Sequence, residues 1–320
     1  MGVNPKVNNL VRPFRQAAHD ILWVIDSGII VDERALARSV AILTSSGPSR
    51  SQIGVVHHVP FALIDDNNFG SQLEAAFLNT NHAKMYIAIN TLGVESCVVG
   101  KSNLYRRSDV ERVNGSLKPS RLQVRNGHDP VSDYGLAVFG RFLAEDNMIA
   151  SAIWHELGLK HDLSYDVARN VIGPMSFLDY VWRRVRWIRV RKHMVPAATI
   201  LEPFTESVVL CAIAALSCRK LFGISIGIFT FFHFVFWLGI DLDVYSSVGG
   251  HRAGQKTGFS FILSWLAREI LALPIFLVAV VGNEITWRGQ KYKVLRNGEA
   301  NILRSRGIHS SDCKQKVVVE

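Results

Sequence analysis

Cysteine is scarce in this sequence, and its spacing gives no sign of a shared structural role. The 320 residues contain only Cys97, Cys211, Cys218 and Cys313, with neither a CxxC pair nor the spacing of a disulfide framework. This argues against a disulfide-stapled secreted domain. A reducing, cytosolic environment is therefore expected for the water-facing part of the chain.

The first residues lack the pattern of a targeting segment. No charged stretch followed by an apolar run opens the chain, and Met1-Gly2 is followed by Lys6 where a myristoylation motif needs Ser or Thr. We therefore expect either an internal segment that directs the protein to membranes or a further segment upstream.

A nucleic-acid fold signature is also absent, although the net charge is +9. The Lys and Arg residues concentrate at 183–192 and 288–306, on either side of the most apolar part of the chain. Basic residues beside a membrane segment are attracted to anionic leaflets by roughly 1 kcal/mol each. The charge therefore favours a lipid bilayer over nucleic acid as the partner.

The apolar residues divide the chain into three regions. Residues 1–198 are mixed and charged and predict a water-facing catalytic domain, residues 199–283 predict a membrane region, and residues 284–320 form a basic tail. Polar residues at about 105–135 predict a loop insertion in the first region.

Candidate membrane helices lie at 199–218, 221–240 and 259–282. The second has twenty residues without Asp, Glu, Lys or Arg, long enough to cross about 30 Å of hydrocarbon. Arg268 and Glu269 interrupt the third, so that it either spans with this pair facing protein or lies at the interface. Three full crossings from a cytosolic domain would put the basic tail in the lumen, against the positive-inside rule, so one segment is expected not to cross fully.

Strand and helix patterns alternate in the first region. We expect strands at 21–25, 53–59 and 95–100 and a strand or loop at 159–171, with helices at 8–19, 32–43, 69–89, 136–157 and 174–193. Pro13 is expected near the start of the first helix and Asp32 as a cap of the second. The alternation predicts an α/β fold with a substantially parallel sheet.

The stretch ILWVIDSG (21–28) places Asp26 where an apolar strand ends in a turn. A carboxylate at the end of a parallel strand points into the crevice where α/β sheets bind ligands, and it suits Mg²⁺ or Mn²⁺ with diphosphate oxygens. For this stretch alone, turn formation is the favoured explanation of Asp-Ser-Gly.

Two further stretches carry candidate chemistry. In FLAEDNMIA (142–150), Glu145 and Asp146 are adjacent acids that could supply a general base, or merely a polar helix start. In WRRVRW (182–187), helical spacing allows Arg183, Arg186 and Trp187 to share a face. Guanidinium groups suit a diphosphate, but a basic amphipathic helix on a membrane explains the same residues.

The order of these three stretches resembles that of inverting glycosyltransferases with a D, D, D, (Q/R)-x-x-R-W pattern on a GT-A, Rossmann-like fold. More narrowly, the chain resembles the ceramide glucosyltransferase family. The stretches that carry the resemblance are GVNPKVNN (2–9), WVIDSG (23–28), GVVHHVPF (54–61), FGSQLEAAF (69–77), ESCVVGKSNLYRR (95–107), FLAED (142–146), RRVRW (183–187), MVPAATILEPFTE (194–206) and ITWRGQKYKV (285–294).

The resemblance implies transfer of glucose from UDP-glucose to the primary hydroxyl of ceramide, with inversion, on a Golgi or ER membrane with the catalytic domain facing the cytosol. It implies Asp146 as the base with Glu145 beside it, and Asp26 as the ligand of a divalent metal. It implies that the remaining site residues bind substrate. These are Arg183, Arg186, Trp187, Lys6, His57 and Cys97.

The resemblance also implies that a membrane helix and the first strands of the nucleotide-binding half would stand before GVNPKVNN. A GT-A sheet without those strands exposes unpaired edges, so we expect the 320-residue chain to be poorly stable and weakly active by itself. Two alternatives remain: a membrane glycosyltransferase acting on another lipid or a polysaccharide, and a truncated, non-catalytic membrane paralogue.

Overall fold

The computed structural model describes residues 2–45, 52–119, 134–250 and 258–303. Within these ranges a mixed α/β domain is followed by a group of apolar helices and a second, small sheet. The predicted α/β class with a helical membrane region is confirmed. The predicted insertion at 105–135 lies partly outside the described residues.

The strands form two sheets. They are β1 (Ile21–Ile25), β2 (Ile29–Ile30), β3 (Ile53–Ile64), β4 (Ser102–Arg106), β5 (Lys160–Ile172), β6 (Glu284–Trp287), β7 (Gln290–Val294) and β8 (Ala300–Ile302). The larger sheet has the order β1-β4-β3-β5-β2, and β6, β7 and β8 form the smaller one. Only β3 and β5 pair in parallel, so among the described strands the sheet is mixed rather than substantially parallel.

The helices are α1 (Pro5–Gln16), α2 (Ala35–Thr44), α3 (Phe69–Phe77), α4 (Ala83–Leu92), α5 (Arg107–Val110), α6 (Glu145–Leu157), α7 (Phe177–Arg191), α8 (Pro196–Thr205), α9 (Ser207–Phe222), α10 (Ile226–Gly249) and α11 (Phe259–Val281). A π-helical turn (Leu78–His82) joins α3 to α4, and a 3-10 helix (Leu136–Arg141) precedes α6.

Two predicted helix starts are wrong. Helix α1 begins at Pro5, because Asn4 caps it, and Pro13 lies well inside the helix. Asp32 does not cap α2 with its side chain. The helix follows Arg34, whose φ is 67°, and the Asp32 carboxylate pairs instead with Arg169 at 2.6 Å.

Residues 95–100 do not form the predicted strand; the strand of this stretch, β4, begins at Ser102. The backbone before it is held by side chains of α4. The Cys97 carbonyl accepts a hydrogen bond from Asn90, and the Val99 amide donates to the Tyr86 hydroxyl. Side-chain partners of this kind replace the ladder of a strand and leave the segment free to curve towards β1.

The first half of the domain packs around one apolar cluster. Phe139 and Phe142 meet Met148 and Ile153 of α6 there, with Val7 of α1 on the other side. This core brings the start of α1 beside the start of α6, which are far apart in sequence. The edge strand β1 pairs with β4 alone among the described strands, and its end reaches the same place.

Helix α11 (Phe259–Val281) matches the third predicted segment, whereas the first two predicted segments differ from the helices of the structure. The segment 199–218 is broken at Glu206 into α8 and α9, which are bent by 59°. Helices α10 and α11 are each long and apolar enough to cross a membrane, and the bent pair would make a third candidate. Arg268 and Glu269 do not break α11; both are buried inside it.

The predicted basic tail contains folded structure. Ile285, Tyr292 and Val294 of the small sheet pack against Val190 of α7, and Phe142 forms an isolated bridge with Glu299. The small sheet is therefore part of the α/β domain's surface. Residues 304–320 lie outside the described residues, together with Cys313.

Candidate active site

Asn4 joins the start of α1 to the start of α6. Its side-chain oxygen accepts from the Lys6 amide at 2.8 Å, which caps α1. Its side-chain nitrogen donates to Glu145 Oε2 at 2.6 Å and to the Phe142 carbonyl at 2.8 Å. Asn4 is fully buried, so these bonds fix Glu145 relative to the helix that carries Lys6.

Lys6 brings two predicted site residues together. Its ammonium lies 2.9 Å from Asp26 Oδ1 and 3.2 Å from Glu145 Oε1, and it donates to the Gly100 carbonyl at 3.2 Å. The predicted acid after β1 and the predicted acid at the start of α6 therefore share one cation. Burial alone would lower the pKa of Lys6, but the carboxylates of Glu145, Asp146 and Asp26 raise it above its usual value.

Lys101 is a second cation on Asp26. Its ammonium lies 3.1 Å from Asp26 Oδ2, and its carbonyl accepts a hydrogen bond from the Asp26 amide at 3.1 Å. Burial alone would raise the pKa of Asp26, but the ammonium groups of Lys6 and Lys101 lower it below its usual value. Asp26 is therefore ionised and fully paired.

Glu145 and Asp146 are adjacent but differ in their surroundings. Glu145 is buried, and burial together with the neighbouring Asp146 raises its pKa to about 7, against the opposing effect of Lys6. Asp146 is half-buried, and its carboxylate has no hydrogen bond or ion pair within the described ranges. Asp146 is therefore the acid that remains available to a substrate.

Gly100 makes room for Asp146. A Cβ atom at this position would lie 2.3 Å from Asp146 Oδ2 and 2.9 Å from its Cβ. Both residues line one small cavity with Lys6 and Glu145. The other residues that line it are Leu10, Val24, Val55, Val98, Asn103, Tyr105, Ile149 and Ala150. The cavity therefore has an apolar wall and one end lined by charged groups.

The residues around Asp26 do not fit a divalent metal as they stand. Both oxygens of Asp26 are held by ammonium groups, and the described residues contain no cluster of three or more His, Cys, Asp or Glu side chains placed to hold a metal ion. A metal would have to displace a lysine and gain ligands from elsewhere. The assignment of a metal to Asp26 stays a prediction.

His57 and Cys97 lie in a second group, around Tyr86. The Val99 amide donates a hydrogen bond to the Tyr86 hydroxyl at 3.2 Å. That hydroxyl lies 2.6 Å from His57 Nδ1, which can accept a hydrogen bond from it. Burial lowers the pKa of His57, so the ring is neutral, and burial raises the pKa of Cys97 to about 11, which makes it an inert thiol at neutral pH.

The three residues of the R-x-x-R-W motif lie on α7, as predicted from the spacing. Arg183 donates to the buried carboxylate of Glu74 at 2.7 Å, and its guanidinium lies 5.1 Å from the centroid of the Trp187 ring. Arg186 is half-buried and has no ion pair with the described residues. Of the two motif arginines, Arg186 is therefore the one whose charge is uncompensated.

The motif contacts the group around Tyr86, not the group around Lys6. The Trp187 ring lies 6.1 Å from His82, and His82 stacks on Tyr86 with centroids 5.6 Å apart. Tyr86 in turn bonds Val99, between two residues that line the cavity, Val98 and Gly100. Within the described ranges no direct contact joins Arg183, Arg186 or Trp187 to Asp26, Glu145 or Asp146.

Several residues of the site were not predicted. An Asn before a proline at a helix start is a capping signal, and it could have identified Asn4. Gly100 and Lys101 stand at the end of an apolar run but carry no motif of their own. Tyr86 and Glu74 lie within apolar helices, where sequence gives no indication of their partners.

Comparison with known proteins places this arrangement in a family. The model of glycosyl transferase family 21 matches residues 1–118 and 133–300. Ceramide glucosyltransferases of Komagataella phaffii and Candida albicans are 35% and 30% identical over 92% of this chain, which spans 68% and 72% of their respective lengths. Ceramide glucosyltransferase 1 of Caenorhabditis elegans is 28% identical over 95% of this chain, which spans 59% of it. The chain is a glycosyltransferase and belongs to glycosyl transferase family 21.

Proposed function

We propose that this protein transfers glucose from UDP-glucose to the primary hydroxyl of ceramide, with inversion at the sugar. The names of the fungal and nematode relatives support the reaction. The observation that carries the proposal is the position of Asp146. Its carboxylate, which has no partner within the described ranges, lines the same cavity as the positively charged Lys6. The domain also carries apolar helices.

Asp146 acts as the general base. A base that removes the proton of an attacking hydroxyl must reach the substrate with a free oxygen, and Asp146 has one, whereas both oxygens of Glu145 are engaged by Asn4 and Lys6. Glu145 is then a positioning residue that holds the Lys6 ammonium beside the cavity. Gly100 lets Asp146 lie against the wall formed by residues 98–101.

The cations Lys6, Lys101 and Arg186 neutralise the diphosphate that leaves with UDP. Preorganised positive groups stabilise a developing charge without reorganisation, which is commonly a large part of catalysis. The two lysines are held on Asp26 in the absence of the donor, and diphosphate oxygens compete for the same ammonium groups. A Mg²⁺ or Mn²⁺ ion at Asp26 stays a prediction, because both Asp26 oxygens are paired with lysines.

The acceptor is confined to the bilayer, so the site must be reached from the membrane. We infer that the protein is an integral protein of Golgi or ER membranes whose α/β domain faces the cytosol. The apolar helices support membrane attachment, and the abundance of Lys and Arg at 288–306 supports the cytosolic side for the domain that the tail packs on.

The experiment that tests the proposal follows the labelled sugar. Membranes from cells that lack glucosylceramide synthesis, with and without the expressed protein, are incubated with UDP-[¹⁴C]glucose and a short-chain ceramide. We expect label in a single lipid that comigrates with glucosylceramide, dependent on the added ceramide. Label in a polymer, or in a lipid that forms equally without ceramide, would favour the alternative of a different membrane glycosyltransferase.

A further inference from the structure

Helix α11 contacts the α/β domain along its whole length. At its start, Ser260 and Ser264 donate to Gln72 of α3 at 2.7 and 3.1 Å. At its end, Lys192, just past α7, donates to the Val280 carbonyl at 2.8 Å. A helix that left the domain to cross a bilayer would not have domain partners at both ends.

The partner helix α7 runs beside α11 in the same direction. Tyr180 and Ile188 of α7 share an apolar cluster with Ile275 and Ala279 of α11. Helix α7 also carries an exposed Asp179 and Arg186, which has no ion pair within the described ranges. If α11 spanned the bilayer, α7 would be drawn into hydrocarbon with these charges, which is strongly unfavourable.

The side of α11 that faces away from the domain is apolar. Ile262, Leu266, Ile270 and Leu277 are 42%, 42%, 59% and 57% exposed. At 100° per residue these four positions fall on one side of the helix, which the exposed residues Leu263 and Val278 widen into an apolar stripe. A single apolar stripe opposite a protein-covered face is typical of a helix that lies in the interface plane.

An aromatic surface of the α/β domain continues this stripe. Phe69, three residues before Gln72, lies 6.3 Å from Phe177 with nearly parallel rings. Leu178 and Trp182, one turn apart on α7, are 62% and 57% exposed. Together these four residues (Phe69, Phe177, Leu178 and Trp182, the aromatic surface) form an unpartnered apolar patch beside the start of α11.

Residues at the start of α9 and in the second half of α10 contact the rest of the protein on the side of the α/β domain. Ser207 at the start of α9 bonds Glu269 of α11, and Asp241 near the end of α10 pairs with Lys84 of α4 at 2.7 Å. The small sheet that follows α11 also meets the domain, where Glu299 pairs with Arg141 at 3.3 Å. The hairpin is thus the part of the described chain that extends away from the domain.

We propose that α11 lies in the membrane surface instead of crossing it, and that its apolar stripe and the aromatic surface dock together on the bilayer. The bilayer is the occupant because the patch is continuous with the exposed faces of apolar helices. The α9–α10 hairpin enters the hydrocarbon, and the small sheet remains on the side of the α/β domain. This inference does not depend on the donor or acceptor proposed above.

Site-directed spin labelling of the full chain in lipid nanodiscs tests the orientation of α11. Single cysteines replace Ile262, Leu266, Ile270 and Leu277 in turn, in a background without the native cysteines, and depth is measured from collisions with oxygen and with a nickel chelate. We expect equal, shallow depths at all four positions. A spanning helix would instead give labels deep at the middle positions and shallow in opposite leaflets at the ends, which would overturn the proposal.

The same measurement tests the aromatic surface. A label at Leu178→Cys is compared with one at Tyr165→Cys, a matched control because Tyr165 is 99% exposed on β5 of the same domain. We expect the ratio of the collision rate with oxygen to that with the nickel chelate to be severalfold higher at position 178 than at position 165. Equal accessibility at the two positions, or water-like values along α11, would exclude docking of this surface.

Discussion

The ammonium of Lys6 lies 2.9 Å from Oδ1 of Asp26, so a protein cation occupies the side of this carboxylate that was predicted to bind a metal. Lys101 holds the other oxygen at 3.1 Å. A donor diphosphate that reached this site would meet two lysines that are paired with the carboxylates of Asp26 and Glu145, and Lys6 also donates to the Gly100 carbonyl. In the proposed reaction the two lysines, rather than Asp26, are therefore the groups expected to contact the donor.

Replacing Lys101 by Met removes one of these cations. Because hydrogen bonds to charged groups contribute roughly 1.5–3 kcal/mol, we expect the KM for UDP-glucose to rise about tenfold or more, with a smaller change in kcat. Steady-state kinetics at fixed ceramide measures this. Lys160→Met is the control, because Lys160 lies over Trp154 at 4.0 Å, away from the cavity. An equal effect of both substitutions would contradict a specific role of Lys101.

Replacing Gly100 by Ala puts a Cβ where Asp146 lies. The nearest approach would be 2.3 Å, so the carboxylate must move away from the cavity wall. We expect transfer to fall at least tenfold while the thermal stability changes little. Gly173→Ala is the matched control, because no atom lies within 4 Å of its added Cβ and Gly173 needs no positive φ. Unchanged transfer by Gly100→Ala would show that Asp146 does not need its present position.

The candidate site acids were chosen from the sequence and stay a prediction, whereas their partners became visible only in the structure. The three acidic and basic stretches were recognised because their order is specific, and the structure brings Asp26 and Glu145 onto the same lysine. Arg183 was expected to bind substrate, which stays a prediction, and in the structure it pairs with buried Glu74, a partner 109 residues away. Such long-range pairing leaves no local pattern, so residue type alone could not reveal it.

The same holds for the fold: elements set by local sequence could be predicted, and elements set by long-range contacts could not. A strand or a loop was expected at 159–171, and the structure has a strand, β5, at Lys160–Ile172. The prediction of a strand at 95–100 is wrong because the side chains of Asn90 and Tyr86 form hydrogen bonds with the backbone of this segment. These bonds depend on how α4 packs. The small sheet after α11 was predicted only as a basic tail, since the Lys and Arg residues on its exposed faces dominate its composition.

The raised pKa of Glu145, at about 7, makes a prediction about stability and pH. A carboxyl group whose pKa is higher in the folded state than in the unfolded state stabilises the fold below its unfolded pKa, and that contribution is lost as pH rises through the folded pKa. Between pH 4.5 and 8, the wild type should therefore lose stability relative to Glu145→Gln as the pH rises.

Thermal unfolding of both proteins in detergent, at several pH values across this range, measures the difference. We expect the stability of Glu145→Gln relative to the wild type to increase as the pH rises. A difference that does not change with pH would show that Glu145 titrates normally. If the stability of Glu145→Gln relative to the wild type instead falls as the pH rises, the charge of Lys6 outweighs burial and keeps Glu145 ionised.

Arg268 is predicted to be essential for stability. It is buried between Glu206 and Glu269 and pairs with Glu206 at 2.6 Å. Removing one partner of a buried ion group typically costs 3–5 kcal/mol, because the remaining charges are unpaired. We expect Arg268→Met to lower the thermal unfolding midpoint strongly, and the triple variant with Glu206→Gln and Glu269→Gln to recover most of the loss. No recovery would mean that Arg268 contributes through packing on Phe77 instead.

The most direct test of the account is the rate of glucose transfer by Asp146→Asn, compared with its binding of UDP-glucose. Asparagine keeps the size of the side chain beside Gly100 but cannot take a proton. Because a positioned general base contributes about 10²–10⁴-fold, we predict a loss of that size in transfer, with the affinity for UDP-glucose retained within severalfold. Transfer above one tenth of the wild-type rate would contradict the assignment of Asp146 as the base. Wild-type membranes with no transfer at all would instead favour the non-catalytic alternative.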